Sequence, residues 1–203
     1  GDRPHQRHAA GIDRPDAASE EPAANPLAAD AGGRADAIAP VDVPSRPDAP
    51  IAVVVEPRAA ACLYHSLQVG DGQPHSVAGD LDTIMAGLAC GEPSPLAWDI
   101  LWNCADVIVT APDYVAAKGM RMYGVPLNGD PFVISGESGA VTLGALAFIM
   151  QYEGAAELRE RLRLDETSRV LLINTEGNTD PDYFRNVVWD GVLQVPRKYR
   201  RPL

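Results

Sequence analysis

A dense set of polar side chains follows an apolar run near the end of the chain. Residues 170–180 read VLLINTEGNTD, so four apolar residues lead directly into Asn174, Thr175 and Glu176. Amide, hydroxyl and carboxylate groups of this kind can hold a small polar ligand by hydrogen bonds. The alternative is a turn in which these side chains bond only their own backbone.

A second candidate is the string SGESGA at residues 135–140, which lies directly before the apolar run VTLGALAFIM. Its small residues predict the start of a helix, where free backbone N–H groups can hold an anion or a polar ring substituent. Gly136, Glu137 and Ser138 are therefore candidate ligand-binding residues. The alternative is a simple cap, with Ser135 at the N-cap and Ser138 or Glu137 satisfying backbone donors.

Strands and helices alternate from residue 51 onward, which predicts an α/β domain with a parallel sheet. The predicted strands are IAVVVEP at 51–57, DVIVTAP at 106–112 and VLLIN at 170–174, and we expect them to be neighbouring and buried. The predicted helices cover residues 58–68, 113–124, 141–150, 156–164 and 180–191. Ligands of such sheets bind at the carboxyl ends of the strands, where Glu56, Thr110 and residues 174–176 lie.

Residues 1–50 have a different composition, mainly Ala, Pro, Asp, Arg and Gly, with no Phe, Tyr or Trp. A segment of this kind buries too little apolar surface to offset its ordering entropy. We therefore predict a disordered Ala/Pro-rich tail at residues 1–50 and a folded domain at residues 51–203. The alternative is that residues 1–50 are foreign to the domain, for example an out-of-frame start.

The overall composition argues against several classes of partner. The net charge of -11 disfavours nucleic acid and anionic membranes. No apolar run reaches the roughly 18 residues of a transmembrane helix, and no secretory signal is visible. The three cysteines form neither an even disulfide set nor a CxxC metal motif, so we expect no metal and a reducing, cytoplasmic setting.

Four long strings carry a family resemblance, which covers residues 51–195. They are EPRAAACLYHS, AGDLDTIMAGLACGEPSPLAWDILWNCAD, ISGESGAVTLGALAFI and LLINTEGNTDPDYFRNVVWDG, in this order. Together they resemble the C-terminal part of the diaminopropionate ammonia-lyase family. The resemblance implies an incomplete three-layer α/β core of a fold-type-II enzyme dependent on pyridoxal 5'-phosphate (PLP), similar to tryptophan synthase β. It also implies α,β-elimination of an amino-acid substrate, 2,3-diaminopropionate, to pyruvate and ammonia, and a homodimeric complete enzyme.

The same resemblance suggests which residues contact PLP. Enzymes of this fold type place a Ser or Thr after a late strand, where it hydrogen-bonds the pyridine nitrogen. The matching position here is Asn174, and Thr175 is the neighbouring alternative. An Asn departs from the pattern, although its amide can donate the same bond. Gly136, Glu137 and Ser138 would then flank the ring or the substrate.

The residues that would perform the chemistry are not found in the chain. The family uses a Schiff-base lysine, but this chain has only Lys118 and Lys198, and neither lies in the family's sequence setting. The Gly-rich phosphate loop and the acid–base carboxylates are also missing. The resemblance therefore implies no catalytic residue here, one wall of a cofactor site, and a chain that is inactive alone. The alternative is a non-catalytic remnant or an assembly module of a truncated lyase.

Overall fold

The computed structural model describes residues 28–30 and 49–200. Within these residues the strands are β1 (Ala28–Asp30), β2 (Val53–Pro57) and β3 (Val107–Ala111). The α-helices are α1 (Cys62–Val69), α2 (Pro95–Cys104), α3 (Asp113–Gly124), α4 (Glu137–Gln151), α5 (Ala156–Arg161) and α6 (Pro181–Val188). Short 3₁₀ helices occur at Arg58–Ala60, Ala86–Leu88, Glu153–Ala155 and Arg197–Tyr199.

The sheet has the order β1-β3-β2, with β3 in the centre. Strands β2 and β3 pair in parallel, from Val53 opposite Val107 to Pro57 opposite Ala111. The connection between them contains α1 and α2, as a parallel pair requires a long crossover. Strand β1 pairs with the other edge of β3 in the antiparallel direction.

Helices cover both faces of the sheet, because the side chains of β3 alternate between two core clusters. Val107 and Val109 belong to a cluster that includes residues of α3, α4 and α5. Ile108 packs on the opposite face against Leu67 of α1 and Trp98 of α2. This arrangement confirms the predicted three-layer α/β class.

Helices α3 and α4 touch through their backbones at two glycines. A Cβ atom added at Gly119 would collide with the carbonyl oxygen of Ala140, and one added at Gly144 would collide with that of Val115. Glycine is therefore required at both positions for the observed approach of the helices. This close packing holds the first turn of α4, which contains the candidate site, against the core.

The prediction of a third strand at residues 170–174 is wrong for the described structure. No strand is assigned there, and residues 170–173 make no backbone hydrogen bond to any described residue. Leu171 is 86% exposed and Ile173 is 65% exposed, so the segment is not buried either. A β-strand is defined by backbone hydrogen bonds to a neighbouring strand. No described segment forms such bonds with residues 170–173.

Other predicted elements are confirmed with shifted boundaries. Strands β2 and β3 and helices α3, α5 and α6 lie within the predicted ranges. The helix predicted at 58–68 is interrupted at Ala61, and the helix predicted from 141 already begins at Glu137.

Helix α2 was not predicted, although its local signal is present. Ser94 accepts a hydrogen bond from the backbone N–H of Ala97 (3.4 Å), and Pro95 opens the helix.

The disordered tail predicted for residues 1–50 lies mostly outside the described residues and stays a prediction. The described part of that range contains β1, which the composition did not indicate. None of the helices in the described ranges combines the length and apolar character needed to cross a bilayer. Cys62, Cys90 and Cys104 are free thiols.

Candidate functional site

Three segments that are distant in the sequence meet at the start of α4. The loop around Ala86–Leu88 reaches it through Gly87, whose N–H donates to Ser138 Oγ (3.1 Å). The segment after residue 173 reaches it through Asn174, whose Oδ1 accepts from Ser135 Oγ (2.8 Å). We call this group, comprising Gly87, residues 135–139 and residues 174–176, the α4-start site.

The chain's own Glu176 closes the start of helix α4. Its Oε2 atom accepts hydrogen bonds from the backbone N–H groups of Ser138 (2.6 Å) and Gly139 (3.4 Å). Its carbonyl oxygen accepts a further bond from the N–H of Gly136 (3.1 Å). The N-cap residue is Gly136, so the interpretation of Ser135 as N-cap is wrong. The donors predicted to hold an external anion are already satisfied by this carboxylate.

Asn174 fastens the segment before Glu176 to the same helix start. Its Oδ1 accepts from Ser135 Oγ and from the N–H of Glu176 (3.3 Å), and its Nδ2 donates to the carbonyl oxygen of Ile134 (3.3 Å). One Nδ2 hydrogen remains for another acceptor. A Cβ at Gly139 would collide with Asn174 Oδ1, so the close approach needs a glycine there.

Thr175 differs from its neighbours, because its side chain makes no hydrogen bond within the described residues and is exposed. Asn174, Glu176 and Asp180 of the same string are used by the fold. Asp180 caps α6 by accepting from the N–H of Tyr183 (2.9 Å). Asp180 is therefore a helix cap, whereas the Thr175 hydroxyl keeps its full capacity to donate and accept.

The electrostatic environment of the α4-start site is acidic. Burial raises the pKa of Glu137, and the nearby carboxylates of Glu176 and Asp180 raise it further. Burial also raises the pKa of Tyr183, with Glu137 and Asp113 as the next causes. Negative groups at this place disfavour a phosphate. The site therefore favours a ligand group that needs a neutral hydrogen-bond donor over an anionic group.

Both lysines of the chain lie at the opposite end of α4. Lys118 Nζ donates to Gln151 Oε1 (2.7 Å) and lies 4.7 Å from the centre of the Phe148 ring. Ser138 and Gln151 are 13 residues apart on α4 (151 minus 138), which is about 20 Å along the axis. Lys118 is partly buried, and burial lowers its pKa.

Lys198 also lies near the end of α4. Its ammonium lies over the ring of Tyr199 at 5.0 Å, and Tyr199 packs against Phe148 near the end of α4.

Within residues 28–30 and 49–200, no group of three or more His, Cys, Asp or Glu side chains is placed to hold a metal ion.

The sequence did not single out two of the residues that build the site. Glu176 is one polar residue of the string after residue 173, and no local signal indicates that it caps α4, because Ser138 lies 38 residues earlier. Gly87 carries no signal by itself, because its contact with Ser138 spans 51 residues.

No protein-family model matches the chain. The chain is 51% identical over 139 residues to diaminopropionate ammonia-lyase of Escherichia coli K12, covering 68% of this chain and 34% of that relative. It is 49% identical over 143 residues to the enzyme of the same name from Salmonella typhimurium, covering 70% and 35%.

Solved structures agree with these relatives. The Escherichia coli lyase in complex with an aminoacrylate–PLP azomethine reaction intermediate superposes with a TM-score of 0.64 at 48% identity, over 71% of this chain and 36% of that one. The selenomethionine-labelled holo form gives 0.65 at 47% identity, over 72% and 36%. The matched part of the chain belongs to the diaminopropionate ammonia-lyase family. The chain spans about a third of the length of these relatives.

Proposed function

We propose that this chain supplies one wall of the cofactor and substrate site of a PLP-dependent ammonia-lyase. The complete enzyme would convert 2,3-diaminopropionate to pyruvate and ammonia by α,β-elimination, in which bound PLP supplies the electron sink. The observation that carries the proposal is the convergence of TIMAGLACGEP, SGESGA and INTEGNTD at one helix start, through the bonds Gly87–Ser138 and Ser135–Asn174.

The side chains of this wall would have separate roles. The Thr175 hydroxyl and the remaining Nδ2 hydrogen of Asn174 are the groups available to bond the pyridine nitrogen. Glu176 positions them by holding the segment against α4. Gly136, Glu137 and Ser138 would flank the ring or the substrate, and the buried Glu137 carboxyl, with its raised pKa, can hold a proton beside them.

The Schiff-base lysine and the phosphate loop would come from polypeptide outside the match. The chain alone should be inactive, because Lys118 contacts the far end of α4, about 20 Å from Ser138. We also propose that the complete enzyme is a homodimer, as the family resemblance implies. The cysteine pattern supports a cytoplasmic setting for it.

The test is a chimera in which residues 51–200 replace the matching segment of the Escherichia coli lyase. We expect the chimera to bind PLP and to release pyruvate and ammonia from 2,3-diaminopropionate. Thr175→Ala and Asn174→Ala should weaken PLP binding, because one lost hydrogen bond costs about 1–3 kcal/mol. The matched control is Thr179→Ala, which removes the hydroxyl of another exposed threonine in the same string.

The outcomes separate the activity from the assigned contacts. A folded chimera that binds PLP but does not act on 2,3-diaminopropionate would refute the proposed reaction. An active chimera that is equally insensitive to all three alanine substitutions would move the ring contact away from Thr175 and Asn174.

A further inference from the structure

Glu137, the first residue of α4, is buried, yet its carboxyl has no partner among the other described residues. The residue is 8% exposed. Its carboxyl interacts with its own backbone N–H, but no other described residue donates a hydrogen bond to it or forms an ion pair with it. A buried carboxylate is costly unless it is paired. The carboxyl of Glu137 is therefore a candidate for holding a ligand from outside the chain.

The groups around this carboxyl increase the need for a positive charge. The carboxylates of Glu176 and Asp180 repel it. Tyr183 of α6 lies close to it and is neutral. Lys118, by contrast, contacts the far end of α4. A cation beside Glu137 would offset the repulsion between the carboxylates, because an opposite charge a few ångströms away stabilises the ionised form.

The carboxyl also lies next to the proposed cofactor contacts. Glu137 directly precedes Ser138, whose N–H is bonded to Glu176, and Glu176 directly follows Thr175. No fully buried side-chain oxygen of the described residues lacks a hydrogen-bond partner, so an unbonded oxygen of Glu137 borders open space. A molecule held at Thr175 is thus close to this carboxyl.

We propose that Glu137 binds the β-ammonium group of the substrate and so selects 2,3-diaminopropionate over serine. This inference rests on the proposed function. The two amino acids differ at one position, where diaminopropionate carries an amine and serine a hydroxyl. A protonated amine brings the missing positive charge together with N–H donors for the carboxylate. The serine hydroxyl is neutral, so it leaves the repulsion among Glu137, Glu176 and Asp180 uncompensated.

The test uses the PLP-loaded chimera that contains residues 51–200, with a pair of ligands that have no leaving group on Cβ. These are 2,4-diaminobutyrate, which ends in an ammonium, and homoserine, which ends in a hydroxyl at the same position. Isothermal titration calorimetry measures their dissociation constants without β-elimination. We expect the chimera to bind 2,4-diaminobutyrate more tightly than homoserine.

Variants of Glu137 assign this preference to one side chain. Glu137→Gln should weaken the binding of 2,4-diaminobutyrate about tenfold or more, because a hydrogen bond between charged groups is lost. Homoserine should bind as before, and Glu137→Asp, which keeps the charge, should keep the preference for the amine. The matched control is Glu166→Gln, which neutralises an exposed carboxylate outside the α4-start site. In turnover of 2,3-diaminopropionate, Glu137→Gln should raise KM more than it lowers kcat.

Several outcomes would overturn the inference. These are no preference of the unmodified chimera for 2,4-diaminobutyrate, unchanged or equally weakened binding of both ligands in Glu137→Gln, or a fall in kcat at unchanged KM. The first measurement needs no variant, so it decides the matter even where a substitution unfolds the protein.

The proposed function fails separately. A chimera that binds 2,4-diaminobutyrate through Glu137 but releases no ammonia from 2,3-diaminopropionate would refute the reaction and leave the ammonium contact standing. An active chimera in which Glu137→Gln retains the preference for the amine would refute the contact alone. A chimera that binds no PLP would refute both.

Discussion

The Oε2 atom of Glu176 lies 2.6 Å from the backbone nitrogen of Ser138, a residue 38 positions earlier in the chain, and accepts its hydrogen bond. This contact joins the polar string after residue 173 to the first turn of α4. It places Thr175 beside a helix start without using the threonine hydroxyl. The backbone N–H groups of Ser138 and Gly139 are thus bonded within the chain. The Thr175 hydroxyl stays available next to them as a neutral donor.

Replacement of Glu176 should lower the stability of the chain. Loss of a cap at a helix N-terminus costs about 1 kcal/mol, and part of this comes from the charge facing the helix dipole. We expect the free energy of unfolding in urea to decrease from Glu to Gln to Ala at position 176. Glu166→Gln, which removes an exposed carboxylate with no role at a helix start, is the control. Equal stability of all the variants would show that the contact is not a cap.

The glycine contacts between α3 and α4 should not tolerate a methyl group. Gly144→Ala introduces a Cβ against the carbonyl oxygen of Val115, and overpacking of this kind costs about 1–3 kcal/mol. The higher helix propensity of Ala, worth about 1 kcal/mol, opposes this cost only in part. Thermal unfolding measures the difference. Gly177→Ala is the matched control, because nothing lies within 4 Å of the added Cβ. A stabilised Gly144→Ala variant would contradict the observed approach of the helices.

Asn174 should contribute to the stability of the chain itself, whereas Thr175 should not. Asn174→Ala removes one of two acceptors of the buried Ser135 hydroxyl and the donor to the Ile134 carbonyl, so the free energy of unfolding of the chain should fall by about 1 kcal/mol. Thr175→Ala breaks no bond in the described structure and should leave the unfolding curve unchanged. Chemical denaturation of the two variants measures this, with Thr179→Ala as the neutral reference. A larger loss for Thr175→Ala would reverse the assignment.

The buried carboxyl of Glu56 should make stability depend on pH. Its oxygens accept from the backbone N–H groups of Leu63 (3.0 Å) and Tyr64 (2.8 Å) at the start of α1. Burial raises the pKa of Glu56, and this effect is larger than the lowering that the two hydrogen bonds cause.

The sign of the effect follows from proton binding. The unfolded chain releases this proton near the ordinary pKa of about 4.3, and the native state keeps it to higher pH. The native state therefore binds more protons between the two pKa values, and the free energy of unfolding falls as pH rises through this interval. The contribution is fully present below the ordinary pKa and is lost above the raised one. Glu56→Gln should remove this part of the pH dependence, as measured by urea unfolding from about pH 4 to pH 7. Glu166→Gln should retain it. Parallel pH profiles for Glu56→Gln and the original chain would contradict the raised pKa.

The sequence by itself determined the α/β class and the positions of strands β2 and β3. It determined helix α3 to the residue. Each of these depends on local information, namely an unbroken β-branched run or an amphipathic stretch between Pro112 and Gly124. It also determined the family, because long strings of neighbouring residues carry the likeness. Helix α2 could have been predicted from Ser94 and Pro95 by the same local rules.

The tertiary structure decided what residues 135–139 and 170–176 do. Residues 170–173 have strand composition, yet a strand needs a hydrogen-bonded neighbour, and no described segment provides one. The donors at the start of α4 are open to an anion by local rules, yet Glu176 reaches them across 38 residues. The position of Lys118 at the far end of α4 was likewise set by helix packing. Long-range pairing and packing are properties of the folded chain, so no local pattern of residues could have shown them.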